Sequence, residues 1–85
     1  SLKIMATVIR LRREGTKNRP YYRVVAADKR SPRDGKFLEL LGTYNPIQKQ
    51  NNTQLNMERI EFWMANGAKP SETVQSLIKK AKQAA

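Results

Sequence analysis

Eighty-five residues with 39% apolar content and six aromatics are enough for one small hydrophobic core and leave no room for a second domain. There is no cysteine and no histidine, which excludes disulfides, thiolate and imidazole metal ligands and the commonest catalytic nucleophiles and bases, and suggests a reducing interior compartment. The net charge is +10, and +7 of it lies between Arg10 and Lys36, where ten Lys and Arg are opposed by Glu14, Asp28 and Asp34 alone.

In chain order, Ser1 to Ile4 precede Met5-Ala6, which resembles a start, so residues 1–4 are expected to be a remnant or an upstream extension. From Met5 to Arg12 apolar and polar residues alternate. This predicts a half-buried strand with Ile9 and Leu11 towards the core and Arg10 and Arg12 on the other face. Arg13 to Pro20 is polar and contains Gly15 and Pro20, which predicts a loop. Tyr21 to Ala27 alternates again, with Tyr22, Val24 and Ala26 on one face and Tyr21, Arg23 and Val25 on the other. Asp28 to Lys36 carries turn signals at Ser31-Pro32 and Asp34-Gly35 and reads as a basic loop. Phe37 to Thr43 is expected to be a third, more buried strand broken by Gly42, followed by a turn at Tyr44-Asn45-Pro46. Gln48 to Gln54 reads as an exposed linker, with a short strand at Gln54-Leu55.

Asn56 can cap a helix starting at Met57, with Met57, Ile60, Trp63 and Met64 as its core stripe and Gly67 as its terminator. A second helix is predicted after the N-cap Ser71, with Val74, Leu77, Ile78 and Ala81 inward and Lys79, Lys80 and Lys82 at its end. Strands followed by helices define the α+β class: a small sheet with two C-terminal helices packed on one face. No segment is long and apolar enough to cross a bilayer, so a soluble chain is expected.

Clustered cations are the signature of a polyanion partner, because each Lys or Arg meeting a phosphate releases a condensed counterion. Seven of the ten cations in the basic segment are arginines, whose planar fork suits bidentate phosphate contacts. Neither predicted helix presents a basic recognition face, which argues against major-groove reading and for recognition of folded RNA by shape. The candidate RNA-binding residues are Arg10, Arg12, Arg13, Lys17, Arg19, Arg23, Lys29, Arg30, Arg33 and Lys36. Tyr22, Tyr44 and Asn45 join them for stacking or hydrogen bonding. Asp28, Asp34 and Glu39 are expected to orient arginines. The rival readings are a metal-dependent nuclease using Asp28 and Asp34, and a general nucleic-acid-binding regulator. No P-loop or GxSxG spacing supports catalysis, and no catalytic residue, metal ligand or cofactor is assigned.

Arg10-Leu11-Arg12-Arg13-Glu14-Gly15, Lys17, Pro20 and Tyr22-Arg23-Val24-Val25 resemble the opening of the small-subunit ribosomal protein S16 family of bacteria and organelles. The similarity continues through Asp28, Arg30, Arg33-Asp34-Gly35-Lys36, Glu39, Gly42 and Tyr44-Asn45-Pro46 to Arg59, Trp63, Gly67-Ala68 and Pro70. Arg12 and Glu14 depart from it, standing where that family often has a small residue and an aromatic or basic one. The resemblance implies a four- to five-stranded mixed sheet and a non-enzymatic, ribosome-bound protein of the cytoplasm or an organelle. It implies binding to the 5′ domain of small-subunit rRNA, with a part in assembly of the ribonucleoprotein used in translation. Its partners would be that rRNA and neighbouring small-subunit proteins, with no membrane or small-molecule substrate, and a monomer when free.

Overall fold

The alternation that starts near the N-terminus becomes a strand, β1 (Thr7–Thr16), paired antiparallel with β2 (Arg19–Asp28) in unbroken register from Thr7↔Asp28 to Thr16↔Arg19. The computed structural model describes residues 6–32, 35–49 and 52–84, so Met5 and Arg33-Asp34 lie outside the described residues. The hairpin is longer than its hydrophobic pattern predicts. Arg13 to Pro20, expected as a loop, continues both strands and leaves only Lys17 and Asn18 as the turn. Past Arg12 the strands outrun the core, so their pairing rests on backbone hydrogen bonds and carries no apolar alternation. Gly15, at φ 81°, accommodates a place where a Cβ would strike the Arg19 carbonyl. Pro20 sits where β3 does not reach, so its missing N–H costs no ladder bond.

Strand β3 (Glu39–Tyr44) pairs antiparallel with β2, and β4 (Thr53–Leu55) with β3. Gly42 does not break β3. It pairs with Val24 on one side and Leu55 on the other, and a Cβ there would collide with the Gln54 carbonyl, so the glycine permits the close approach of β4. A bulge opposite Val24/Val25 sets Leu40 against Val25 and Gly42 against Val24, with Leu41 as the extra residue pointing into the core.

Helix α1 (Met57–Ala65) begins as expected, with Asn56 Oδ1 accepting the Arg59 N–H at 3.3 Å. It ends in a Schellman arrangement: Gly67, at φ 102°, donates to the Met64 carbonyl and Ala68 to that of Trp63. The chain then forms β5 (Lys69–Pro70), a two-residue parallel partner of β1 that its sequence does not announce. Ser71 caps α2 (Glu72–Ala84) through its Oγ on the Val74 N–H. The sheet order is β4-β3-β2-β1-β5, a mixed five-stranded sheet with both helices after the main strands.

The core lies between one sheet face and the helices: Ile9, Val24, Ala26 and Leu41 meet Ile60, Ala68, Val74, Leu77 and Ile78. Burial of a side chain such as Ile60 contributes about 1.5–3 kcal/mol. Trp63 packs partly buried at the rim of this core, whereas Met64, expected inside with it, is 40% exposed. Helix α1 therefore buries a narrower stripe than its spacing suggests, because only Ile60 in it is fully covered.

Candidate nucleic-acid interface

Register places Arg10, Arg12 and Glu14 on the face opposite the helices, across from Val25, Arg23 and Tyr21. That face is only partly open. Val25 and Ala27 are buried there although they lie outside the helix-side core. The segment after β2 crosses them. Arg10 Nη2 donates to the Ser31 carbonyl at 2.7 Å, Arg12 Nη1 to that of Gly35 at 3.1 Å, and the Arg12 guanidinium lies 5.3 Å from the Phe37 ring centre. The Leu38 N–H closes the crossing on the Ala26 carbonyl at 2.7 Å. Arg10 and Arg12 thus hold a basic loop, whose Lys29, Arg30 and Lys36 point outward and are exposed. Arg12 and Lys36 line one shallow groove with Gly35 and Phe37.

The hairpin end carries Arg13, Lys17 and Arg19, all exposed. Arg13 Nη2 reaches the turn carbonyls of Thr16 and Lys17 at 3.4 and 3.3 Å. Arg19 and Asn45 meet along a second groove with Pro20, Tyr21, Ile47 and Gln48. Asn45 Oδ1 accepts the Ile47 N–H at 3.1 Å, fixing the turn after β3.

Tyr22 and Tyr44 are cross-strand neighbours on the helix side, with rings stacked at 6.1 Å and 24°. They share the face of Arg13, not that of Arg10, Arg12 and Arg23. The candidate residues therefore occupy both sides of one long hairpin and the loop strapped to it. They do not form one flat patch, and Arg33 lies outside the described residues.

Among the described residues three carboxylates form ion pairs with arginines. Asp28 takes Arg30 Nε and Nη2 at 3.3 and 3.2 Å, and its carboxyl is held below the usual range first by the Arg30 side chain and then by the Arg30 backbone N–H. With the Arg30 side chain 82% exposed, this pair is heavily screened. Glu14 reaches Arg12 at 3.0 Å and Arg23 at 3.9 Å. Glu39 orients an arginine that sequence reasoning did not select: Arg59 Nε and Nη2 donate to it at 2.7 and 2.6 Å, and Trp63 Nε1 at 2.9 Å. Hydrogen bonding from Arg59, against the opposing desolvation and with help from Trp63, holds the Glu39 carboxyl at about 2. The Arg59 guanidinium also stacks 4.4 Å from the Phe62 ring centre. Separations of 20 and 24 residues leave no local signal for this cluster.

Among the described residues no group of three or more acidic side chains is placed to hold a metal ion. A small α+β domain whose cations crowd onto a long hairpin and its strapped loop carries the electrostatic footprint of a polyanion-binding protein. The ribosomal protein S16 family model matches residues 13–71. The small ribosomal subunit protein bS16 of Myxococcus xanthus is 54% identical over 80 residues, covering 94% of this chain and 93% of the relative. That of Clostridium botulinum is 53% identical over 77 residues, covering 91% and 94%. The chain belongs to the ribosomal protein S16 family. Membership makes it a structural ribosomal protein, not an enzyme, and sets aside the nuclease reading of Asp28 and Asp34.

Proposed function

We propose that this chain is a constituent of the small ribosomal subunit that binds the 5′ domain of its rRNA and stabilises the folded form during assembly. Beside the family membership, the observation that carries the reading is the concentration of cations on β1, β2 and the loop that Arg10 and Arg12 strap across them. Phosphates brought together by RNA tertiary folding repel one another, and a wedge with arginines on both faces offsets that repulsion where helices converge. Lys17, Arg19, Lys29, Arg30 and Lys36 meet phosphates directly. Arg10 acts chiefly by holding the loop, whereas Arg12, which also holds it, and Arg23 meet phosphates beside Glu14. Tyr22, Tyr44 and Asn45 shape the hairpin's flank. The protein is a monomer until it joins the particle, where neighbouring small-subunit proteins abut it. Among the described residues no helix is long and apolar enough to cross a membrane.

Binding of the 5′-domain RNA, measured across a salt series for wild type and for Lys17→Gln, Arg19→Gln and Lys36→Gln, tests this reading. Each variant should bind more weakly, with the log–log salt slope flatter by about 0.7–0.9 per lost phosphate contact. Slopes unchanged in all three variants would remove the hairpin and loop from the interface.

A further inference from the structure

Arg12 and Arg23 are directly opposite each other across β1 and β2, the placement in which like charges repel most on a sheet. Glu14 leaves the same face two residues along β1 and divides its carboxylate between them. Oε2 lies 3.0 Å from Arg12 Nε and Oε1 lies 3.9 Å from Arg23 Nε. The three side chains are half-buried, with Arg23 39%, Arg12 26% and Glu14 23% exposed. Within the hairpin the other acid is Asp28, which turns back on Arg30. Glu14 is therefore the carboxylate set among the hairpin's cations, where an anion already bridges two guanidinium groups before any nucleic acid arrives.

We infer that Glu14 is a specificity-determining residue, an internal anion that weakens binding to arbitrary polyanions while pre-setting Arg12 and Arg23 for phosphates held at fixed spacing by folded RNA. The inference rests on the RNA-binding reading above. Glu14 has two opposed effects. Its charge lowers the local field, which costs affinity for every polyanion alike, because non-specific binding follows net charge and counterion release. Its contacts also order two rotamer-rich side chains in advance, and that order benefits only a ligand whose phosphates occupy defined places. A flexible strand or a uniform duplex experiences the cost alone. Folded RNA experiences both, and the two nearly cancel. Discrimination is a difference of affinities, so a residue that adds little to correct binding still sets specificity by weakening the wrong kind.

A purely structural role, relieving Arg12–Arg23 repulsion, would alter stability and leave discrimination untouched. Glu14→Gln keeps the side chain's shape and one acceptor oxygen while removing the charge. Glu14→Asp keeps the charge and shortens the reach to Arg23. Wild type and both variants are titrated with the folded 5′-domain RNA, with poly(U) and with duplex DNA over a salt series, and thermal unfolding confirms that each is folded. Glu14→Gln should bind poly(U) and duplex DNA about fivefold more tightly at low salt, with slopes steeper by roughly 0.7–0.9. Its affinity for the folded RNA should change by at most about twofold. Glu14→Asp should keep the wild-type slopes on all three ligands. Equal gains by Glu14→Gln on folded and unstructured ligands, or no gain on poly(U), would overturn the role of Glu14 and leave the RNA-binding reading standing. A wild type with no preference for the folded RNA over duplex DNA would overturn both.

Discussion

Glu39 gathers three hydrogen bonds from two side chains that arrive from another element, and its chemistry gives the residue scale its sharpest test. Its carboxyl is held at about 2 against an ordinary value of 4.5. A depressed folded-state value means that the unfolded chain takes up the proton first as pH falls. The stabilisation is therefore complete above about pH 4.5 and is lost as pH drops towards 2. Glu39→Gln should be less stable than wild type at pH 7 by about 1–2 kcal/mol, a modest figure because the Arg59 side chain is still partly in water. The two proteins should converge between pH 4.5 and 2 in denaturant titrations, and a gap unchanged at pH 3 would refute the assignment. At this scale the sequence showed which way a side chain points and not what it touches. Period-two alternation put Arg10, Arg12 and Arg23 on one face correctly. It could not show that Arg10 and Arg12 spend donors on Ser31 and Gly35, more than twenty residues away. The Arg59–Glu39–Trp63 cluster was hidden for the same reason.

Elements were legible where apolar pattern or capping chemistry marked them. Asn56, Gly67 and Ser71 announced both helices to within a residue, because caps satisfy backbone groups with local side chains. The outer hairpin was not legible, since Arg13 to Pro20 pairs through its backbone in water and leaves no periodic trace. Gly42 shows how one residue can point either way. Its weak strand propensity suggests a break, whereas the structure uses the missing Cβ to bring Gln54 and Leu55 against β3. Gly42→Ala should accordingly destabilise the fold by about 1–3 kcal/mol through displaced backbone, not through lost burial. The effect should concentrate at β4. Hydrogen exchange of the Asn56 N–H, bonded to the Leu41 carbonyl at 2.8 Å, should accelerate more than that of the Ile9-bonded Ser71 N–H on the opposite edge. Equal acceleration at both would mean that the close approach of β4 is not what requires glycine.

Across the whole molecule, 39 × 31 × 17 Å, a charge of +10 sits on a thin slab with helices on one broad face and a strapped loop on the other. Few of those charges can be far from another, so the folded chain repels itself and its small core has little stability in reserve. Salt should then have opposite effects on the protein alone and on the protein with RNA. For the free chain, added salt screens the repulsion and the melting temperature should rise between 0.05 and about 0.5 M, where the Debye length shortens from roughly 14 to 4 Å. Partly buried pairs such as Arg59–Glu39 are screened less and do not reverse that trend. With folded RNA at about 100 times its dissociation constant, linkage adds roughly 2.7 kcal/mol, which for a domain of this size raises the melting temperature by about 10–20 °C. The increment should shrink as salt rises, because salt weakens the complex that supplies it. A melting temperature of the free protein that falls with salt would show that internal ion pairs outweigh the self-repulsion. The surplus charge would then carry no stability cost for RNA to relieve.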